Sequence, residues 1–379
     1  MKALEAFREG LELCSRCRCG FCRLNCPVFL VYGVESASPR GRNTLALALL
    51  DGLIKPSRGL AERFYMCALC GFCEARCPLD VDVDAIVEAV RASLVELGLA
   101  NPYHQKVAEN LRATYNPYGR EASDRARWAE GLEFDPKSKV LLFAGCVYSY
   151  ELGEVLRTLV DVLGRAGVKV NYLGPEEKCC GYPLLAMGFK KNYDALAKEN
   201  ARALRATGAE RILTACPACA STFGRYKEQF EDFDLEPVHV VAFLKELLDE
   251  GALRLEGSLE GLKVAYHDPC HLARILGLTD EPRAIIKAIP GVEFVEMPHH
   301  GRDVICCGGG GGLLTAYPSM AIEIAKLRLK EAEEVGANLL VSSCPTCVSL
   351  LNRVSRATKS KVKVRDLIGL VGDMVSQKA

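Results

Sequence analysis

Ten of this chain's 19 cysteines fall into one five-residue pattern written twice. The first copy runs Cys146, then Cys179-Cys180 after 32 residues, then Cys216-x-x-Cys219 after another 35. The second runs Cys270, Cys306-Cys307 and Cys344-x-x-Cys347, with intervals of 35 and 36. Thiols at this density either cross-link the chain or hold metal, and C-x-x-C spacings in a chain that opens without a secretory pattern favour metal. Two adjacent cysteines rarely both suit one tetrahedral zinc, so the donor set asks for a larger centre. Four more cysteines, Cys67-x2-Cys70-x2-Cys73-x3-Cys77 before Pro78, have the spacing at which thiolates hold cubane iron–sulfur clusters. The remaining five, Cys14, Cys17, Cys19, Cys22 and Cys26, form an irregular version ending in Cys26-Pro27.

The elements that must position these thiols follow from the apolar pattern. Residues 1–100 carry both short-spaced runs with helical patterning over Arg42 to Leu53 and Val83 to Leu97, a mainly helical two-cluster ferredoxin-type domain. Residues 101–138, with scattered proline, glycine and aromatics, read as a connector with short helices. From Lys139 short apolar runs alternate with amphipathic stretches, the signature of βαβ units around a parallel sheet. Strands are expected at Val140–Ala144, Val168–Leu173, Arg211–Ala215, Leu262–Tyr266, Val292–Met297 and Leu339–Ser342, and helices at Glu151–Gly164, Lys190–Thr207 and Pro318–Val335. Matching cysteines in the two copies are offset by 124 to 128 residues, so one Rossmann-like α/β half, 139–257, is duplicated as 258–379. In each half the lone cysteine follows the first strand and C-x-x-C follows the last. All five thereby gather at the carboxyl rim of one sheet, where open α/β sheets bind ligands. C-x-x-C also opens a helix, whose free amides favour the thiolate, and proline fits its first turn.

Composition excludes several classes. Lys plus Arg and Asp plus Glu are 48 each, so no basic field draws the chain to nucleic acid. No apolar stretch approaches the ~18 residues a spanning helix requires, and the expectation is a cytoplasmic protein that meets a membrane only through a partner. The glycines at 308–312 do not complete a dinucleotide fingerprint, because position 313 is Leu, and no phosphate-loop lysine follows. No flavin or nicotinamide site is legible. His267 and His271 flank Cys270 and suit either proton donation and hydrogen bonding to a cluster sulfur or ordinary packing. His299-His300 reads as a solvated loop, and Trp128 as a packing residue.

With these motifs in hand, residues 139 to 370 resemble the two cysteine-rich CCG domains of the heterodisulfide reductase catalytic subunit and its relatives, and residues 1–100 resemble the cubane-cluster domain fused to them. The iron–sulfur subunits of glycolate oxidase, lactate-utilisation systems and anaerobic glycerol-3-phosphate dehydrogenase share this architecture. Both five-cysteine sets here are complete, and His267-Asp268-Pro269-Cys270-His271 and Cys306-Cys307 with its five glycines resemble the disulfide-reducing branch. The resemblance implies two cubane [4Fe–4S] clusters, one held by Cys67, Cys70, Cys73 and Cys26, the other by Cys77 with Cys17, Cys19 and Cys22, and leaves Cys14 as a spare or alternative ligand. It implies two further, non-cubane [4Fe–4S] clusters, on Cys146, Cys179, Cys180, Cys216 and Cys219 and on Cys270, Cys306, Cys307, Cys344 and Cys347, and these two sets are the catalytic candidates. Electrons would pass from the cubanes to these two centres and reduce a disulfide. The alternative is a wire from a flavin-dependent 2-hydroxyacid or glycerol-3-phosphate dehydrogenase to a quinone or cytochrome. Either role requires a redox partner, whether a flavoprotein dehydrogenase, a b-type cytochrome or a hydrogenase-type donor. Ser38-Pro39-Arg40-Gly41-Arg42 also resembles a stretch common in these subunits and reads as a loop and helix start.

Overall fold

The computed structural model describes residues 2–17 and 19–375, so 376–379 of the expected second half lie outside the described residues. Short helices over Arg8–Arg16, Pro27–Tyr32, Pro39–Leu50, Arg58–Tyr65 and Val83–Glu96 build the N-terminal domain. Ser38 accepts from the Gly41 amide at 3.0 Å and Pro39 occupies the first turn, so the Ser-Pro-Arg-Gly-Arg stretch does start a helix. The connector is built of helices. Its main element is a 13-residue helix, Pro102–Thr114, capped by Asn101, and His104 from that helix bonds the Gly312 carbonyl of the second half at 2.8 Å. Trp128 is a core residue, packed edge-on to Phe134 and at a tilt to Tyr172.

Two four-stranded parallel sheets follow. The first contains β1 (Val140–Phe143), β2 (Asn171–Tyr172), β3 (Arg211–Thr214) and β4 (Glu236–His239) in the order β2-β1-β3-β4. The second repeats it with β5 (Lys263–His267), β6 (Glu293–Phe294), β7 (Leu339–Ser342) and β8 (Lys363–Asp366) in the order β6-β5-β7-β8. Register confirms the duplication: Val140 to Phe143 pair with Arg211 to Thr214, and Val264 to His267 with Leu339 to Ser342. Two expectations need correction. The second and sixth strands are two residues long rather than six. The C-x-x-C follows the third strand of each sheet, because β4 and β8 lie beyond it. Both extra strands are edges, where Pro237 needs no ladder partner for its missing N–H and the alternation Lys363-Val364-Arg365-Asp366 leaves one side polar.

The halves pack with pseudo-two-fold symmetry. Helix Gly153–Arg165 lies on Leu367–Met374, and the corresponding pair, Val240–Asp249 on Asp280–Lys287, repeats that contact with the halves exchanged. One continuous core, including Leu142, Tyr148, Leu156 and Leu244 from the first half and Val264, Tyr266, Ile285 and Leu367 from the second, fills the interface. Tyr148 donates to the Asp366 carboxylate across it at 2.6 Å. This arrangement turns the carboxyl rims of both sheets toward one space.

Candidate metal centres

All ten cysteines of the two repeated sets line a single central cavity of about 300 Å³. Nine-tenths or more of each is buried, and none of the chain's cysteines is in a disulfide. In the second half Cys306 and Cys270 Sγ are 3.9 Å apart and Cys347 and Cys307 Sγ 3.2 Å. Cys216 and Cys344 are each the residue before a proline-initiated helix, as the motif requires. The electrostatics repeat too. Sulfur donors Cys179 and Cys219 hold Cys180 down to about 6, Cys219 also lowers Cys216, and Cys306 and Cys347 hold Cys307 well below the ordinary thiol range, so both sets favour thiolate character. Hydrogen bonding from the neighbouring sulfurs and burial push Cys219 and Cys347 well above it. A cluster of buried thiols with few other acceptors is a donor set for metal.

The short-spaced cysteines gather in two smaller cavities. Cys26, Cys67, Cys70 and Cys73 line one of about 20 Å³ together with Arg42 and Asp84. The Arg42 guanidinium, 1% exposed, gives its Nε to the Arg63 carbonyl at 2.7 Å, while its Nη2 has no hydrogen-bond partner among the described residues. An unmet buried N–H costs roughly 1–3 kcal/mol. An anionic centre among those four sulfurs would satisfy it, which fits an iron–sulfur cluster. Burial pushes the Cys26 thiol up to about 11. Cys14, Cys17, Cys19, Cys22 and Cys77 line the second cavity, of about 30 Å³, with Cys73 at its edge. Of these five, Cys19 is exposed, whereas Cys14 is half-buried and its sulfur accepts from Asn43 Nδ2 at 3.3 Å.

Several residues at these sites carry no sequence signature. Arg125, 1% exposed, donates to Cys146 Sγ at 3.2 Å and to Glu177 at 2.7 Å, and Glu177 in turn accepts the Ala144 and Gly145 amides ahead of that cysteine. Arg274 joins the two domains by donating to the Cys70 carbonyl at 2.7 Å and to Arg302 and Val304. Cys26 and Cys70 share one buried cluster with Cys270, Cys306, Cys307, Cys344 and Cys347, so the inner short-spaced set lies against the second five-cysteine set, and hydrogen bonding to Cys306 and burial push the Cys70 thiol far up. The glycine run makes that approach possible: a Cβ on Gly311, where φ is +59°, would lie 2.5 Å from the Ala68 carbonyl carbon. After Cys270 the chain makes a π-turn over His271–Ile275. His271 lines the central cavity, with Nε2 3.1 Å from Tyr182 Oη and Nδ1 3.1 Å from Ser221 Oγ, both in the first half. His267 is fully buried under the second sulfur set. His299 and His300 lie on a partly exposed loop, as read, and His299 pairs there with Glu331 at 2.9 Å.

Segments 140–224 and 264–352 match the Cysteine-rich domain family (CCG), and segment 9–81 matches the 4Fe-4S dicluster domain. The chain is 33% identical to the D subunit of the dihydromethanophenazine:CoB–CoM heterodisulfide reductase of Methanosarcina mazei over 96% of its own length and 94% of that protein's. It is 29% identical to the B subunit of the fumarate reductase (CoM/CoB) of Methanothermobacter marburgensis, covering 97% of this chain and 73% of that one. The EtfAB:quinone oxidoreductase of Syntrophomonas wolfei is 26% identical over 91% of this chain and 55% of its own. A crystal structure of a hypothetical protein from Helicobacter pylori superposes with a TM-score of 0.62 at 12% identity, covering 100% of this chain and 77% of that one, and shares the fold. The chain therefore belongs to the family of iron–sulfur oxidoreductase subunits that join a 4Fe-4S dicluster domain to two CCG domains. It is an iron–sulfur electron-transfer subunit similar to the D subunit of heterodisulfide reductase. No helix among the described residues is long and apolar enough to cross a membrane.

Proposed function

We propose that the chain reduces a disulfide, or a chemically similar two-electron acceptor, in the central cavity. The observation that carries this reading is that both complete five-cysteine sets open into one space rather than into two. Cys26, Cys67, Cys70 and Cys73 would hold an inner cubane. Cys77 would hold the outer one with Cys22, Cys17 and, in view of its burial and the Asn43 contact, Cys14 in place of Cys19. Each five-cysteine set would hold one further four-iron cluster. These clusters, when bound, supply one-electron transfer, and two facing the same cavity match a two-electron bond.

The chain's own residues do the rest. Pro117, Val147, Pro183, Met187 and Leu314 make the cavity wall largely apolar and exclude water from the sulfurs. Reduction of a disulfide takes up two electrons and two protons and yields two thiols. The Tyr182 hydroxyl and the His271 ring, bonded to each other at the cavity wall, are the groups placed to hold a proton there. The outer cysteine set reaches the surface at Cys19, beside exposed Phe21 and Leu24, and is the edge at which a partner would deliver electrons. The relatives named as reductase subunits work with other subunits, which supports a partner here.

A second reading makes the same clusters a wire between a flavoprotein and a quinone or cytochrome, and the relative named EtfAB:quinone oxidoreductase favours it. Anaerobically reconstituted protein separates the two. Under the first reading an artificial donor drives disulfide reduction, and offered thiols alter the paramagnetic resonance of the five-cysteine centres alone. Failure of every disulfide and thiol offered, with full reduction of all clusters by a co-purifying flavoprotein and its substrate, would leave the wire standing.

A further inference from the structure

The two halves present different residues to equivalent sulfurs. β1 ends in Phe143 and β5 in His267, just before the loop that carries each lone cysteine. Phe143 packs edge-on to Phe223 with ring centroids 4.8 Å apart and offers nothing polar to its sulfur set. His267 is 0% exposed, and one of its ring nitrogens lies with Cys307 and Cys347 Sγ in a group whose atoms are all within 4.8 Å of one another.

Arg328 decides which nitrogen this is and what it carries. The residue is itself 0% exposed, and it stands 128 positions after Asn200, which in the first half bonds the Cys179 carbonyl at 2.7 Å instead. Arg328 gives its Nε to His267 Nδ1 at 3.3 Å and its Nη1 to Glu331 at 2.6 Å, and Glu331 also receives His299 at 2.9 Å. A guanidinium has only donors. His267 Nδ1 is therefore a lone pair, so the ring hydrogen is on Nε2, the atom left without a hydrogen-bond partner among the described residues. A nitrogen that carries its proton does not ligate iron. It donates.

We propose that His267 donates its Nε2–H to the sulfur of Cys307 or Cys347 and thereby makes the cluster of the second half easier to reduce. The inference rests on the reading that both five-cysteine sets hold clusters. Reduction adds negative charge to the sulfurs, and a fixed N–H aimed at them stabilises the reduced form more than the oxidised one. The first half has a different device, the Arg125 N–H on Cys146. The two centres thus receive different donors at different cysteines, and the imidazole is specific to the one that abuts the inner cubane site.

The test is a potentiometric titration followed by paramagnetic resonance on anaerobically reconstituted wild type and His267→Phe, the residue that the first half carries. The expected result is unchanged iron content, a lower midpoint potential for one of the two five-cysteine signals with the other unmoved, and loss from that signal of a proton coupling that exchanges in D2O. A wild-type protein whose five-cysteine sets give no four-iron signals overturns the cluster reading and the inference together. Loaded clusters with potential and exchangeable coupling unchanged in the variant overturn the inference alone. So does a directly bonded nitrogen coupling in protein grown on 15N-histidine, which would make His267 a ligand. If the phenylalanine variant fails to load, His267→Leu, smaller and equally without a donor, is read by the same criteria.

Discussion

The first and second halves share strand order, helix order and a complete sulfur set, yet it is the second that sets its sulfurs against those of the N-terminal domain. After Cys179-Cys180 the first half has one glycine, Gly181, and then the helix Tyr182–Ala186. After Cys306-Cys307 the second half has glycine from 308 to 312, and the helix is delayed to Leu313–Ala316. The delay leaves bare backbone where the Cys67–Ala68 segment of the N-terminal domain must lie, with a Cβ on Gly310 3.0 Å from the Ala68 oxygen and one on Gly311 closer still. Duplication supplied two equal donor sets. The four further glycines, 309–312, determine which of them sits next to the inner short-spaced set.

Arg91 fastens that asymmetric junction, and its loss should have the largest effect. Fully buried on helix Val83–Glu96, it donates to the carbonyls of Phe64, Tyr65 and Cys67 in the N-terminal domain, Ala186 in the first half and Gly311 in the second. Burial lowers its pKa, but at neutral pH the guanidinium stays charged. Arg91→Met removes the donors and leaves those carbonyls to find others, so stability should fall by about 3–5 kcal/mol, as when a buried charged network is broken. Chemical denaturation followed by circular dichroism measures it. A loss under ~1 kcal/mol would mean that the three domains are held by apolar contact alone.

Gly311→Ala attacks the same junction from the other side. Its Cβ meets Ala68 backbone, which cannot swing away as a flexible side chain does, and the position has positive φ. The cost should be about 1–3 kcal/mol, with slower passage of electrons from the cubanes to the five-cysteine centres. Gly224→Ala, mid-helix in the first half with nothing within 4 Å of the new methyl, should instead be neutral or stabilise by up to ~1 kcal/mol. Equal thermal midpoints for the two variants would show that the glycine run is not there for close approach.

The outer cysteine set gives a third contrast, within one cavity. Cys14→Ser should lose or convert the outer cubane, while Cys19→Ser should leave its absorption and resonance spectra nearly intact, since Cys19 is the exposed member and Cys14 a half-buried one. Iron analysis and spectra of the two variants measure the difference. The reverse pattern would restore the ligand set that the resemblance implies.

Much of the site was legible because it depends on local rules. Strand ends, a 124 to 128-residue repeat and sulfur spacing were enough to bring ten cysteines to two sheet rims. What escaped depends on partners distant in sequence. Arg125 lies in a polar stretch with nothing to mark it, and its partner Cys146 comes 21 residues later. The glycine run could be refused a nucleotide role, but its purpose is visible only beside Ala68. The strands β4 and β8 escaped because edges need few apolar residues, so Pro237 and the charges of Lys363 and Arg365 masked them. The exposure of the outer five was likewise not legible: helix Arg8–Arg16 carries Cys14 to a half-buried position and Cys19 lies exposed beyond it.

The smallest expected effect comes from the last pair of equivalent positions, the residues that end β4 and β8. His239 caps the helix Val240–Asp249 through the Val241 amide, and Asp366 caps Leu367–Met374 through Ile368. The two buried caps titrate in opposite senses. Desolvation lowers His239 from 6.5 to about 4, so the unfolded chain binds its proton more readily and this residue makes stability rise with pH between about 4 and 6.5. Desolvation raises Asp366 from 3.8 to about 6 despite the Tyr148 hydrogen bond, so the unfolded chain releases its proton first and this residue makes stability fall with pH between about 4 and 6. Each spans between two and three pKa units, about 3 kcal/mol, and in the wild type the two largely cancel each other. Asn also caps helices, so His239→Asn and Asp366→Asn keep the cap and remove one titration each. Relative to wild type, between pH 5 and 6 the stability of the His239 variant should shift downward with rising pH and that of the Asp366 variant upward, by about 1 kcal/mol each across that unit, while the other buried titrating groups act equally in all three proteins. Denaturation midpoints of wild type and both variants at the two pH values measure the shifts; shifts of the same sign relative to wild type would mean that the two caps do not balance each other.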